Sequence, residues 1–163
     1  MRLKTILTFL IVFALAAVAS AQTRISGTLQ CAKADPEHSL QVGDRPNHSF
    51  VISQGKCTWT KPVEIGGIQS KEGVWTDSAE VSGDTSRYRG YYMDTMANGD
   101  KVYYRYEGTA TLKDGVPQSV EQKWTLVRGT GKLKGIKGKG TYKGKGGPEG
   151  ITYEIEGEYE LPK

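Results

Sequence analysis

Few side chains in this sequence could do chemistry, and they are thinly spread. The histidines are His38 and His48, each followed by a serine, Ser39 and Ser49. A Ser–His–acid nucleophile needs its serine on a sharp, glycine-flanked elbow. Neither serine has that context, so a triad is not supported. Cys31 and Cys57, together with His38 and His48, could in principle ligate zinc or copper. Their spacing is wide and lacks the close ligand pairs of zinc motifs, so a disulfide is the simpler reading. No metal is assigned, and the metal site stays as the alternative. Asp94 and Asp100 flank a predicted hairpin, where turn hydrogen bonding explains them better than paired-carboxylate catalysis. Glu154, Glu156, Glu158 and Glu160 look like a comb for cations. At a spacing of two they are more simply the wet face of a strand.

The stretch 129–147, GTGKLKGIKGKGTYKGKGG, holds eight glycines and six lysines in nineteen residues. A phosphate loop needs a glycine, four residues and then Gly-Lys-Ser/Thr before a helix. That spacing is missing here, and so is a βαβ context. A disordered basic tail is contradicted by the strongly alternating segment 151–161 that follows. The stretch therefore reads as a tight turn, Gly129 to Gly135, and then a strand. Lys137, Lys139, Lys143 and Lys145 share its wet face, and Tyr142 is its one large inward group.

The elements that position these residues are strands. In 101–112, KVYYRYEGTATL, the residues Val102, Tyr104, Tyr106, Ala110 and Leu112 lie on one face. Polar residues dominate the other, the period-two signature of a half-buried strand. Asn98-Gly99 precedes it and predicts a hairpin with 86–96. Six more runs, 24–31, 48–54, 73–82, 118–128, 137–145 and 151–161, bring the count to about eight. His38 and His48 fall in an early region that reads as irregular. An all-β chain of this kind best removes its exposed edges by closing into an eight-stranded antiparallel barrel. An open sandwich is the structural alternative.

The first residues have basic Arg2 and Lys4, an apolar run from Ile6 to Val18, and Ala19-Ser20-Ala21. This is the pattern of a signal peptide cleaved after Ala21, and the run is short for a membrane span. The expected organisation is a signal helix over 1–21 and one barrel domain over 22–163, secreted or periplasmic, with no later membrane span. An oxidising compartment favours a Cys31–Cys57 disulfide. The whole-chain net charge is +4, of which Arg2 and Lys4 contribute two. So small a net charge says little about partners; nucleic acid is not expected as one, because the glutamates of 154–160 beside the lysine strand oppose it.

The segment Gly129-Thr130-Gly131-Lys132-Leu133-Lys134-Gly135, followed by Ile136-Lys137-Gly138, resembles a signature of allene oxide cyclase-like and dirigent-like barrels. Val42-Gly43-Asp44, Asn98-Gly99-Asp100-Lys101 and the terminal Glu-Gly-Glu-Tyr add to a loose likeness to small bacterial exported proteins of that type. The resemblance implies an eight-stranded, calycin-like barrel. It carries over no catalytic residue and no cofactor.

Aromatic residues give the better hint of function. Tyr104, Tyr106, Trp124, Tyr153 and Tyr159 fall on predicted inward faces, Trp75 is a further candidate, and Gln122 is a polar group that could be fixed among them. Apolar bodies with polar handles suit a cavity that orients a small apolar or aromatic ligand. Against this, eight strands leave an interior just wide enough for side chains to fill. The residues favour a non-catalytic exported barrel that binds such a ligand or has a purely structural role. The alternatives are a cofactor-free enzyme of the cyclase or dirigent kind and a polyanion or envelope-surface binder acting through the lysine strand. The sequence does not set the oligomeric state.

Overall fold

The computed structural model describes residues 22–147 and 149–162, so the expected signal helix over 1–21 lies outside the described residues. The strands are β1 (Thr23–Ala32), β2 (Glu37–Gln41), β3 (His48–Lys61), β4 (Glu64–Ile65), β5 (Ile68–Ser82), β6 (Thr85–Met96), β7 (Lys101–Lys113), β8 (Val116–Gly129), β9 (Lys137–Gly147) and β10 (Gly150–Glu160). Among the described residues the one helical element is a 3-10 turn, Gly131–Leu133. Eight strands close an antiparallel barrel in the order β1, β3, β5, β6, β7, β8, β9, β10, with β10 returning to β1. β2 and β4 are short additions.

β3 makes closure possible because it is long enough for two neighbours on one edge. Its first half, Ser49–Ser53, pairs with β2, and its end, Cys57–Lys61, pairs with β1. The other edge pairs with β5 over His48–Thr58. The early region is therefore not irregular at His38, which lies in β2, and His48 opens β3 where the run 48–54 was expected. Alternation there is blurred because β2 is exposed along its whole length and shows no apolar face.

The hairpin between β6 and β7 forms at the expected place. Only Gly99 takes a positive φ, +87°. Asn98 works through its side chain instead, accepting from the Asp100 N–H at 3.0 Å. Register shifts in the β7–β8 pair leave Val127 and Gln118 without partners, and at the first of these Val127 and Arg128 both face outward between the inward Leu126 and Gly129.

One end of the barrel is plugged. Val63, Ile65, Val102, Met96, Leu133 and Ile136 are all buried there, and the Gly66 N–H donates to the Tyr159 hydroxyl at 2.9 Å. The rest of the interior is packed with aromatic rings seated on glycines. A Cβ at Gly157 would fall 2.3 Å from the Trp124 ring, and one at Gly140 would fall 2.4 Å from it. Gly73 lies beneath Tyr92 and Gly55 beneath Trp75 in the same way. Inward glycines therefore do not open empty space. They make room for rings too large for an eight-stranded barrel with a Cβ at every position.

Candidate functional site

The Gly-Thr-Gly stretch is a structural clasp. Thr130 exchanges hydrogen bonds with the start of β7: the Thr130 N–H donates to the Lys101 carbonyl at 2.9 Å, and the Lys101 N–H donates to Thr130 Oγ1 at 2.8 Å. Gly131, with φ +51°, lies against Asp100, where a Cβ would meet Oδ1 at 1.9 Å. The Lys132 N–H also donates to Asp100, at 3.2 Å. Asp100 thus has the turn role expected of it. The lysines that follow are exposed. The register places Lys137, Lys139 and Lys143 opposite Glu160, Glu158 and Glu154, and Lys139 approaches Glu158 to 3.8 Å.

Asp94 departs from its expected turn role. It sits in the inward row with Tyr92 and Met96, before the turn begins, and is 0 % exposed. Its carboxyl accepts from the Trp59 indole N–H at 3.0 Å and from the Ser70 hydroxyl at 2.5 Å. Burial pushes its pKa up to about 7, against the pull of those two donors. A second inward carboxyl, Asp77, accepts from Ser53 at 2.8 Å and from the Tyr106 hydroxyl at 3.1 Å. Burial raises it too, and both hydrogen bonds oppose the shift.

Cys31 and Cys57 are register partners on β1 and β3 and form a disulfide, with Cα atoms 4.0 Å apart. The bond takes both thiols out of the metal alternative considered for them with His38 and His48. His48 instead lies between two carboxylates: Nδ1 meets Asp44, and Nε2 meets Glu80 at 3.0 Å. Asp44 and then Glu80 raise the imidazole pKa, while His48 lowers that of Asp44.

A cavity of about 90 Å³ remains inside the barrel, toward the end where β1 finishes and β10 begins. Of the seven aromatic and amide candidates, Trp75, Tyr106, Gln122 and Tyr153 line it. Tyr104 and Trp124 pack in the buried core outside that lining, and Tyr159 belongs to the plugged end. The Gln122 carbonyl is held by the Tyr88 hydroxyl at 2.9 Å. Two aromatic lining residues were not among the candidates, Tyr92 and Tyr142. Tyr142 was legible as the inward group of the lysine strand. Tyr92 follows from the hairpin, whose register sets it opposite Tyr104. Tyr92, Tyr104, Trp124, Tyr142 and Tyr153 form a continuous ladder with centroids 5.4–6.3 Å apart. Burial raises the pKa of all four tyrosines, so their hydroxyls stay protonated. Depressions of about 670–830 Å³ lie on the outside of the sheet, lined mainly by alternating charges such as Arg87, Glu107, Glu121 and Lys123.

No protein-family model matches the sequence, and no curated protein does. Among solved structures, the chain is similar to a protein of unknown function of the DUF3224 family from Shewanella oneidensis MR-1, at 16% identity and TM-score 0.50, covering 88% of this chain and 99% of that one. It is similar to a conserved protein of unknown function from Rhodopseudomonas palustris, at 12% identity and TM-score 0.51, covering 85% and 98%. A pterocarpan synthase dirigent protein aligns at 11% identity and TM-score 0.48, covering 98% and 100%. At these identities the likeness to the two bacterial proteins is one of fold: the chain is a closed antiparallel β-barrel of the shape they share.

Proposed function

We propose that this is an exported barrel that binds a small, largely apolar ligand in its interior cavity. The observation that supports the reading is the cavity itself. Rings fill the barrel elsewhere, yet about 90 Å³ is left among Trp75, Tyr92, Tyr106, Tyr142 and Tyr153. Apolar walls with a few fixed polar groups are what small-molecule sites offer. The disulfide fits an oxidising compartment, and the leader-like segment 1–21 supports export into one. The test is a thermal-shift screen of small apolar and aromatic compounds. A ligand at a hundred times its Kd should stabilise the fold by about 2.7 kcal/mol. Ile151→Phe, which puts a ring into the space, should abolish that shift. Shifts that survive Ile151→Phe would place binding elsewhere.

A second reading, cofactor-free catalysis, has one observation in its favour. Tyr106 borders the cavity and donates to Asp77, so the pair could pass a proton to a bound molecule. Asp77→Asn separates the two readings, because binding should survive it and proton transfer should not. The polyanion reading is weakened by the register, which pairs three of the strand's lysines with glutamates.

A further inference from the structure

We infer that the free edge of β2 is a docking site for β2 of a second copy of this chain, joined antiparallel about a two-fold axis. This surface is separate from the interior cavity, and its test does not depend on a ligand. β10 begins at Gly150, opposite Ala32, so the chain beyond Ala32 has lost its neighbour on that side. Among the described residues β2 pairs with β3 alone. The Val42 N–H donates to the His48 carbonyl at 2.9 Å, and the Gln54 N–H donates to the Pro36 carbonyl at 3.0 Å. Even-numbered residues therefore turn their backbone groups toward β3. Those of Glu37, Ser39 and Gln41 point the other way, from a strand that is exposed along its whole length. Native edges are usually blunted by lysine, proline or a bulge. From Glu37 to Gln41 there is none of these.

The side chains select the occupant. The register sets Leu40 beside Phe50 and His38 beside Ile52 on the outer face. Leu40, Phe50 and Ile52 are 75 %, 54 % and 62 % exposed, so an uncovered apolar strip runs along the edge. An antiparallel pairing centred on Ser39 uses every free N–H and C=O of Glu37, Ser39 and Gln41 in both copies. It sets Glu37 opposite the partner's Gln41, whose amide can donate to the carboxylate, and Ser39 opposite the partner's Ser39. On the outer face it sets Leu40 beside the partner's His38, which joins the two apolar strips into one. No like charges meet. Parallel pairing in register would bring Glu37 against the partner's Glu37, and so would an antiparallel pairing centred on Glu37. The edge is thus complementary to itself in the register that uses all its donors, which is what an isologous contact requires. A strand of five residues buries less than the roughly 1,200 Å² of a stable complex, so the dimer forms reversibly as concentration rises.

Sedimentation velocity across about 10 μM to 1 mM protein tests the inference. The wild-type protein should pass from monomer to dimer over that range. Ser39→Pro removes an N–H that faces the edge and none that faces β3, so it should fold and weaken the dimer at least about fivefold. Gln41 is exposed, and in the dimer it meets the partner's Glu37 twice. Gln41→Glu should therefore weaken association by about 2- to 30-fold, and Gln41→Lys should tighten it by a similar factor. This opposed pair keeps the inference open to refutation even if Ser39→Pro fails to fold. A wild type that stays monomeric throughout would overturn the inference and leave the edge to some other partner. A dimer that Ser39→Pro leaves intact, or one on which Gln41→Glu and Gln41→Lys act alike, would overturn it as well.

Discussion

Replacing Asp94 by Asn should change how the stability of the fold depends on pH. In the folded protein burial holds the Asp94 pKa at about 7, against an ordinary value of 3.8. The neutral acid is therefore the form that the fold prefers. Below about pH 4 the group is protonated in both states, and its full contribution to stability is present. As pH rises toward 7 the unfolded chain releases its proton while the fold retains its own, so stability falls by about 1.4 kcal/mol per pH unit. Over the interval from 3.8 to about 7 the loss amounts to roughly 4 kcal/mol. The side chain is fully buried, so solvent screening does not reduce this figure. Asn is close in shape to the neutral acid. Its carbonyl can accept from Trp59, and its amide can donate to Ser70, the two partners of Asp94. Urea unfolding of both proteins from about pH 4 to pH 8 measures the difference. Wild type should lose roughly 4 kcal/mol relative to Asp94→Asn across that range, and Asp94→Asn should be the more stable protein at the alkaline end. Parallel pH curves would refute the reasoning, as would a wild type that gains on the variant as pH rises.

Other expectations follow from the same geometry. Joint replacement of Cys31 and Cys57 by Ala should cost roughly 3–4 kcal/mol, and thiol titration of the unfolded, unreduced protein should find no free thiol. Gly140→Val should cost about 1–3 kcal/mol or more, because its side chain would enter the Trp124 ring and the Glu156 carbonyl. Lys139→Gln should cost about 0–1 kcal/mol, in a salt-sensitive way, since its contact with Glu158 is exposed; chemical denaturation of the two variants measures the contrast. His48 should titrate above 6.5 by NMR, because Asp44 and Glu80 both hold its charged form. Its contribution to stability should be present below the unfolded pKa and fade as pH rises through the folded one. Glu80→Gln should bring that titration back toward the ordinary value.

The barrel was largely legible because its strands alternate cleanly. Residues 101–112 and 151–161 carry one apolar and one polar face, and both became barrel strands with those faces in and out. β2 was not legible, since Glu37–Gln41 is solvent-exposed along its length and carries no pattern. β3 was read as ending at 54 but runs to Lys61, because Gly55, Cys57 and Trp59 point inward without forming a familiar apolar run. The site was half legible. Inward tyrosines and tryptophans can be counted from parity, but parity does not say which rings sit on glycines and which border free space. Trp124 fills its place because Gly140 and Gly157 lie beneath it, a fact of register between three strands. Asp94 was misplaced because it lies near the hairpin in sequence, although its parity sends it into the core.

The central claim, that the interior cavity is a ligand site, is tested most directly by native mass spectrometry of the protein isolated from its own host. The account predicts a species heavier than the polypeptide by one small molecule, with that added mass absent from the Ile151→Phe variant. A spectrum of bare polypeptide alone, or an added mass that Ile151→Phe retains, would contradict it.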